Sequence, residues 1–151
     1  MRFFLFSIRP LYANAVFSGV KKYELRRGFI DELTTGDIVF LYVSGNEQRI
    51  KGLFRAGRIF RGTPQEVWRY VSSDPLSGIG RDAWQYIAGS SRAVAVEVVD
   101  PCVFSRQPSL HDIRAVFPRW SPPLSYSLLS EKEPVFLLFL EQGLEECLNK
   151  K

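Results

Sequence analysis

The chain is poor in the residues that build most small-protein chemistry. It has one histidine and two cysteines among 151 residues. His111 cannot complete a zinc site with the distant Cys102 and Cys147, because structural zinc takes four nitrogen or sulfur ligands. Ser109-Leu110-His111-Asp112 holds the residue types of a hydrolytic triad but lacks a nucleophile-elbow pattern. The cysteines follow no recurring spacing, which argues against a disulfide framework and fits a reducing cytoplasm. Gly52, Gly57 and Gly62 form no phosphate-loop fingerprint. No metal and no cofactor is expected. No apolar run approaches the roughly 20 residues that cross a bilayer. The apolar start, Phe3 to Ile8, is too short for a secretory signal and is interrupted by Arg9-Pro10. A cytoplasmic protein without membrane partners is the expectation.

What remains is ordinary in bulk and uneven in distribution. Hydrophobic residues make up 46% and aromatics 14%, enough for a real core in one domain spanning 1–151. Basic residues crowd between Lys21 and Arg61, whereas Glu131, Glu133, Glu141, Glu145 and Glu146 make the tail acidic, with Lys132, Lys150 and Lys151 as its bases. A basic cluster attracts phosphates, though a solvated basic face serves solubility equally well.

Residues 3–9 form a nearly continuous apolar run, which predicts a strand buried on both faces. Pro10 can open a helix and Gly19 can stop it. Residues 21–27 read as a charged strand, 38–43 as a buried strand, and 50–61 as a long strand bent at its glycines. Thr63-Pro64-Gln65-Glu66 predicts a capping box opening a helix. A second short helix covers 81–88, with Trp84 and Ile87 inward. Residues 93–99 predict a strand that Val103-Phe104 extends beyond Pro101, and Ser109 caps a further helix. The Pro118 to Pro123 stretch reads as rigid and extended. Residues 134–140 suit strand or helix. Ser130 with Glu133, and the spacing of Leu144 and Leu148, favour a helix over 131–149. The gaps are too irregular for repeated βαβ units, so the class is α+β, a small mixed or barrel-like sheet with helices outside.

Function concentrates in Gly19-Val20-Lys21-Lys22-Tyr23-Glu24-Leu25-Arg26, followed by Arg27. Mixed charges on a short strand are costly to bury, so they are expected to line a wet cleft. Lys21 suits a phosphate or base contact, or service as an amine base or nucleophile if desolvated. Its plainer reading is a surface lysine paired with Glu24. Three residues apart on a strand, Lys21 and Glu24 point to opposite faces unless the strand bends or bulges. Glu24 and Arg26 share a face, where a simple ion pair is the ordinary outcome. Arg26 also suits bidentate phosphate contact. Ser7 and Arg9 share a face of the first strand, and Arg9 adjoins the helix start, where free amides can receive an anion. Tyr42, Trp120 and Tyr126 could stack on a base, although each is individually more often a core residue. Trp68 and Trp84 read as core.

Gly19, Lys21, Glu24 and Arg26 match the signature G-x-K-x-x-E-x-R without a gap. With Ser7-Ile8-Arg9-Pro10 before it, and the strand, Thr-Pro helix, strand and Pro-Pro order after it, the chain resembles the ASCH family of the PUA-like superfamily. It looks closest to the longer archaeal-type members, over most of residues 3–126. The resemblance implies a PUA-like small β-barrel with helices packed around it, a cleft at the signature, and RNA or a nucleotide-like ligand. Carried onto this chain, it places Lys21, Glu24 and Arg26 on the cleft floor. Ser7 and Arg9 flank it, Tyr42 is a ligand-binding candidate, and Arg27, Arg55 and Arg58 track phosphates. Some small members that it resembles are amidohydrolases of acetylated cytidine. Their catalytic lysine falls at Lys21, with a threonine where Glu24 stands here. Binding is therefore favoured over catalysis. The alternatives are an amidohydrolase using Lys21 with Glu24 or Glu66, a weak ribonuclease, or a protein-interaction module docking through the acidic C-terminal helix.

Overall fold

The computed structural model describes residues 1–149, so Lys150 and Lys151 lie outside the described residues. The strands are β1 (Phe3–Ile8), β2 (Tyr23–Arg27), β3 (Ile38–Val43), β4 (Arg49–Gly62), β5 (Ala93–Val103) and β6 (Tyr126–Leu129). The helices are α1 (Pro10–Phe17), α2 (Pro64–Ser72), α3 (Arg81–Ala88), α4 (Leu110–Val116) and α5 (Glu141–Leu148). A π-helical turn, Phe136–Leu140, leads into α5. The tail is thus helical rather than extended, with Glu133 Oε1 accepting from the Ser130 amide ahead of it.

All six strands form one sheet in the order β2-β5-β4-β3-β1-β6. β1 runs parallel to β3, and the other pairs are antiparallel. Register slips at Leu41/Tyr42, Leu53/Arg55 and Ala56/Ile59 are bulges, which increase twist and curl a sheet. The curl brings the two edge strands together: Arg26 on β2 donates to the carbonyl of Ser125, the residue before β6. That contact is the seam of the barrel.

The alternation in β1 sorts its side chains to two layers. Phe4, Phe6 and Ile8 face one apolar cluster with Val39, Leu41 and Phe54. Phe3 and Leu5 face another with Phe40, Phe104, Phe136 and Leu140, beneath the C-terminal helix. This is why the run shows no polar alternation. A third cluster joins Tyr23 and Leu25 to Val67, Val71 and Ile87 of α2 and α3. Trp68 and Trp84 pack against each other there, 5.7 Å between ring centroids. The Thr63 capping box forms as expected, and Ser109 makes a second one with Asp112.

One expectation fails. Cys102 and Cys147 form a disulfide, with Cα atoms 5.9 Å apart. They are separated by 45 residues, so only the docking of α5 on the β5 end of the sheet brings them together. The inference of free thiols in a reducing compartment therefore loses its basis. The proline-rich segment is followed by β6, a strand antiparallel to β1 that the sequence did not mark.

Candidate functional site

The seam opens into a cleft of about 690 Å³. Its floor is a buried ion cluster. Lys21 Nζ lies 2.6 Å from Glu24 Oε1, and Arg26 Nη1 lies 3.1 Å from Glu24 Oε2. The three residues are 8%, 3% and 5% exposed, so none is a surface charge. The alternation that separates Lys21 from Glu24 does not apply, because β2 begins only at Tyr23. Lys21 lies in the turn after α1, where its amide bonds the Ala15 carbonyl. Gly19 makes this turn possible with φ of +82°.

Segment 20–22 is clamped from outside. The Lys22 amide donates to the Ser77 carbonyl at 2.8 Å, and Lys22 Nζ pairs with Asp74 at 2.8 Å. Gly78, at φ of +70°, lies so close to Val20 that a Cβ there would collide with the Val20 carbonyl. Its missing side chain lets the α2–α3 loop press segment 20–22 into place.

Arg26 closes the seam with two backbone bonds besides its ion pair. It donates to the Ser7 carbonyl at 3.0 Å and to the Ser125 carbonyl at 2.6 Å. Its guanidinium lies 4.7 Å from the Phe6 ring centroid. Its Nε is buried without a hydrogen-bond partner. Burial pushes the Glu24 carboxyl upward, but Lys21 and Arg26 outweigh that and hold it below its ordinary value. Glu24 is therefore an anion whose two oxygens are each engaged by a cation.

The walls come from distant parts of the chain. Tyr12 of α1 sits over the Lys21 ammonium, 5.0 Å from ring centroid to Nζ. Its hydroxyl interacts with Asp82 of α3, which raises the phenol and lowers the carboxyl from their ordinary values. Arg9, exposed ahead of α1, lines the mouth. Three cations (Arg9, Lys21, Arg26) against two anions (Glu24, Asp82) leave the lining net positive. Ser7 lines it too, its hydroxyl donating to the Pro123 carbonyl at 2.5 Å.

The structure thus gathers Ser7, Arg9, Lys21, Glu24 and Arg26 in one cleft and adds Tyr42 to its lining. Tyr42 is 2% exposed and packs edge-on against Trp120, 6.2 Å between centroids, which leaves no open face for stacking. Burial accordingly raises its phenol. Arg27, Arg55 and Arg58 do not line this cleft. Arg27 bonds the Tyr86 carbonyl at 2.6 Å and stacks on the Tyr86 ring, so it supports α3. Arg55 lines a separate depression beside Cys102 and Cys147. Arg58 pairs with Glu97. Glu66 is spent on its capping box with Thr63 and is no partner for Lys21. Among the described residues no group of His, Cys, Asp and Glu could hold a metal ion, and no helix is long and apolar enough to cross a membrane. Tyr12, Asp82, Tyr86 and Leu124 are cleft residues that the sequence did not single out. No local spacing marks them, because sheet curl and helix docking bring them in.

No protein-family model and no curated protein sequence matches the chain. Solved structures do. An ASCH protein from Zymomonas mobilis superposes with a TM-score of 0.72 at 21% identity, covering 85% of this chain and 88% of that one. A hypothetical protein from Leishmania major gives 0.56 at 15% identity, over 97% and 96%. Human THYN1, solved in complex with DNA containing 5-methylcytosine, gives 0.57 at 16% identity, over 91% and 95%. The chain therefore shares the fold of these structures, an α+β, PUA-like arrangement of a curled six-stranded sheet with helices around it.

Proposed function

We propose that the chain is an ASCH protein whose seam cleft binds nucleic acid, RNA foremost, or a modified nucleoside. The observation that carries this reading is the buried Lys21–Glu24–Arg26 cluster on the cleft floor. Burying three charges costs several kcal/mol per ion unless they are well paired, and apolar residues would fill the same volume more cheaply. Retention of such a cluster beneath an open, net positive cleft suits a polar ligand carrying a phosphate. Lys21 has donors left after its bond to Glu24. The DNA complex of the similarly folded human protein supports nucleic acid as the class.

The test is titration of labelled single-stranded RNA, structured RNA and 5-methylcytosine duplex DNA at low and moderate salt. Wild type should bind at least one of them, more weakly as salt rises. Lys21→Ala should lose that binding, and Lys21→Met should do the same while keeping the aliphatic stem packed. Equal affinity in a folded Lys21→Met variant would falsify the cleft assignment.

One contact favours a second reading, hydrolysis. An amine held 2.6 Å from a carboxylate in a cleft is a possible acid–base pair. Turnover of acetylated cytidine or an RNA oligomer, abolished by Lys21→Met, would establish it. Wild type leaving both substrates intact would dismiss it. Docking of a protein partner through the acidic helix is tested by reversing the exposed Glu141 and Glu145. Deletion is unsuitable, because the same segment buries Phe136 and Leu140 and carries Cys147.

A further inference from the structure

Leu124 has its side chain entirely in water, 106% exposed, at the rim of the seam cleft. Scattered exposed leucines are ordinary. This one is held differently. Pro122 and Pro123 precede it and fix their own φ near −65°. The carbonyls on both sides of it are tied down. That of Pro123 accepts from Ser7 Oγ at 2.5 Å, and that of Ser125 accepts from the Ser7 amide at 2.9 Å and from Arg26 at 2.6 Å. The backbone around Leu124 is therefore ordered by the cleft floor itself, and the apolar side chain projects into water from that held point. A backbone segment held before binding has already met its ordering cost, which favours contact with a partner.

We propose that Leu124 packs against the base that neighbours the one held in the cleft. The ligand is then a nucleotide within a strand and not a free nucleoside. This inference rests on the nucleic-acid reading and narrows it. A cleft of about 690 Å³ lies in the size range of a small-ligand site, and a strand bound there continues past its rim. Leu124 stands at that rim. Apolar side chains serve as wedges and packing surfaces against exposed base faces, and such contacts tolerate any base. Arg9, also at the mouth, can meet the phosphate between the two nucleotides.

The test compares a labelled single-stranded RNA oligomer of mixed sequence with the four free ribonucleosides and acetylated cytidine. Wild type, Leu124→Ser and Leu124→Phe are measured side by side, with Tm recorded for each. Leu124→Ser should weaken the oligomer about tenfold, and Leu124→Phe should restore it. The exposed position should leave Tm unaltered. Oligomer affinity equal in wild type and Leu124→Ser overturns this inference alone. Nucleosides bound as tightly as the oligomer overturn it and leave the nucleoside form of the functional reading standing. A wild type that binds no strand and no nucleoside overturns both.

Discussion

The two ends of the sheet solve opposite problems. At the seam, edge strands meet through charge: Glu24 between Lys21 and Arg26, and Arg26 bonded to the carbonyls of Ser7 and Ser125. Under the C-terminal helix the sheet is covered through aromatic contact and a covalent bond. Phe136 packs 5.1 Å from Phe3 and 5.9 Å from Phe40, and Cys102–Cys147 ties α5 to β5. The apolar end gains stability in the ordinary way, from burial and a cross-link. The charged end spends stability on a polar floor open to a cleft. The contrast separates the part of the molecule that holds the fold from the part available for a ligand.

Substitutions at the two ends should therefore fail in different ways. Glu24→Gln leaves two buried cations without their anion and should cost about 3–5 kcal/mol, lowering Tm by roughly 10 °C and abolishing ligand binding. The pH dependence has a fixed sign. The Glu24 carboxyl is lowered in the folded state, so its contribution is present above the ordinary carboxylate range near pH 4 and is lost as pH falls through the folded value. Acid unfolding followed by circular dichroism should have a shallower pH slope in Glu24→Gln than in wild type.

Cys147→Ser, or reduction of wild type, should cost about 2–4 kcal/mol while leaving ligand affinity unchanged. Loss of affinity along with stability would show that the two ends are coupled.

Gly78→Ala is a subtler probe. A Cβ there strikes the Val20 carbonyl and strains a left-handed backbone, at about 1–3 kcal/mol. Because segment 20–22 must then move, affinity should fall more than stability predicts, as paired titration and thermal melts will reveal. At the small end, Arg58→Ala removes only an exposed pairing with Glu97. It should leave RNA affinity within about twofold of wild type at moderate salt. A drop comparable to that of Lys21→Met would mean that the ligand extends well beyond the cleft.

The seam was partly legible in the chain because its floor is local. Lys21, Glu24 and Arg26 lie within six residues, and Ser7 and Arg9 precede them by one short helix. The helix stop at Gly19 and the cap at Thr63 were legible for the same reason: caps and stops act within a few residues. The pairing of Lys21 with Glu24 was legible only as a surface contact; its burial on the cleft floor was not, because Lys21 stands before the strand and escapes its alternation. The walls were not legible either. Asp82 reaches Tyr12 only after α3 docks, and Leu124 reaches the rim only after β6 pairs with β1. The disulfide depends on the same kind of long-range docking. It was missed because spacing rules address cysteines that are near in sequence. Arg55 and Arg58 show the converse error. Closeness in sequence to a basic cluster did not carry them to the cleft, because β4 lies in the middle of the sheet.

The most direct measurement is a map of backbone amide shifts on adding a short single-stranded RNA to isotope-labelled protein. Binding at the seam predicts changes concentrated at Lys21, Glu24, Arg26, Asp82, Tyr86 and Leu124, with Cys102 and Cys147 unmoved. Changes centred on the C-terminal helix, or no changes with RNA and with 5-methylcytosine DNA alike, would contradict it.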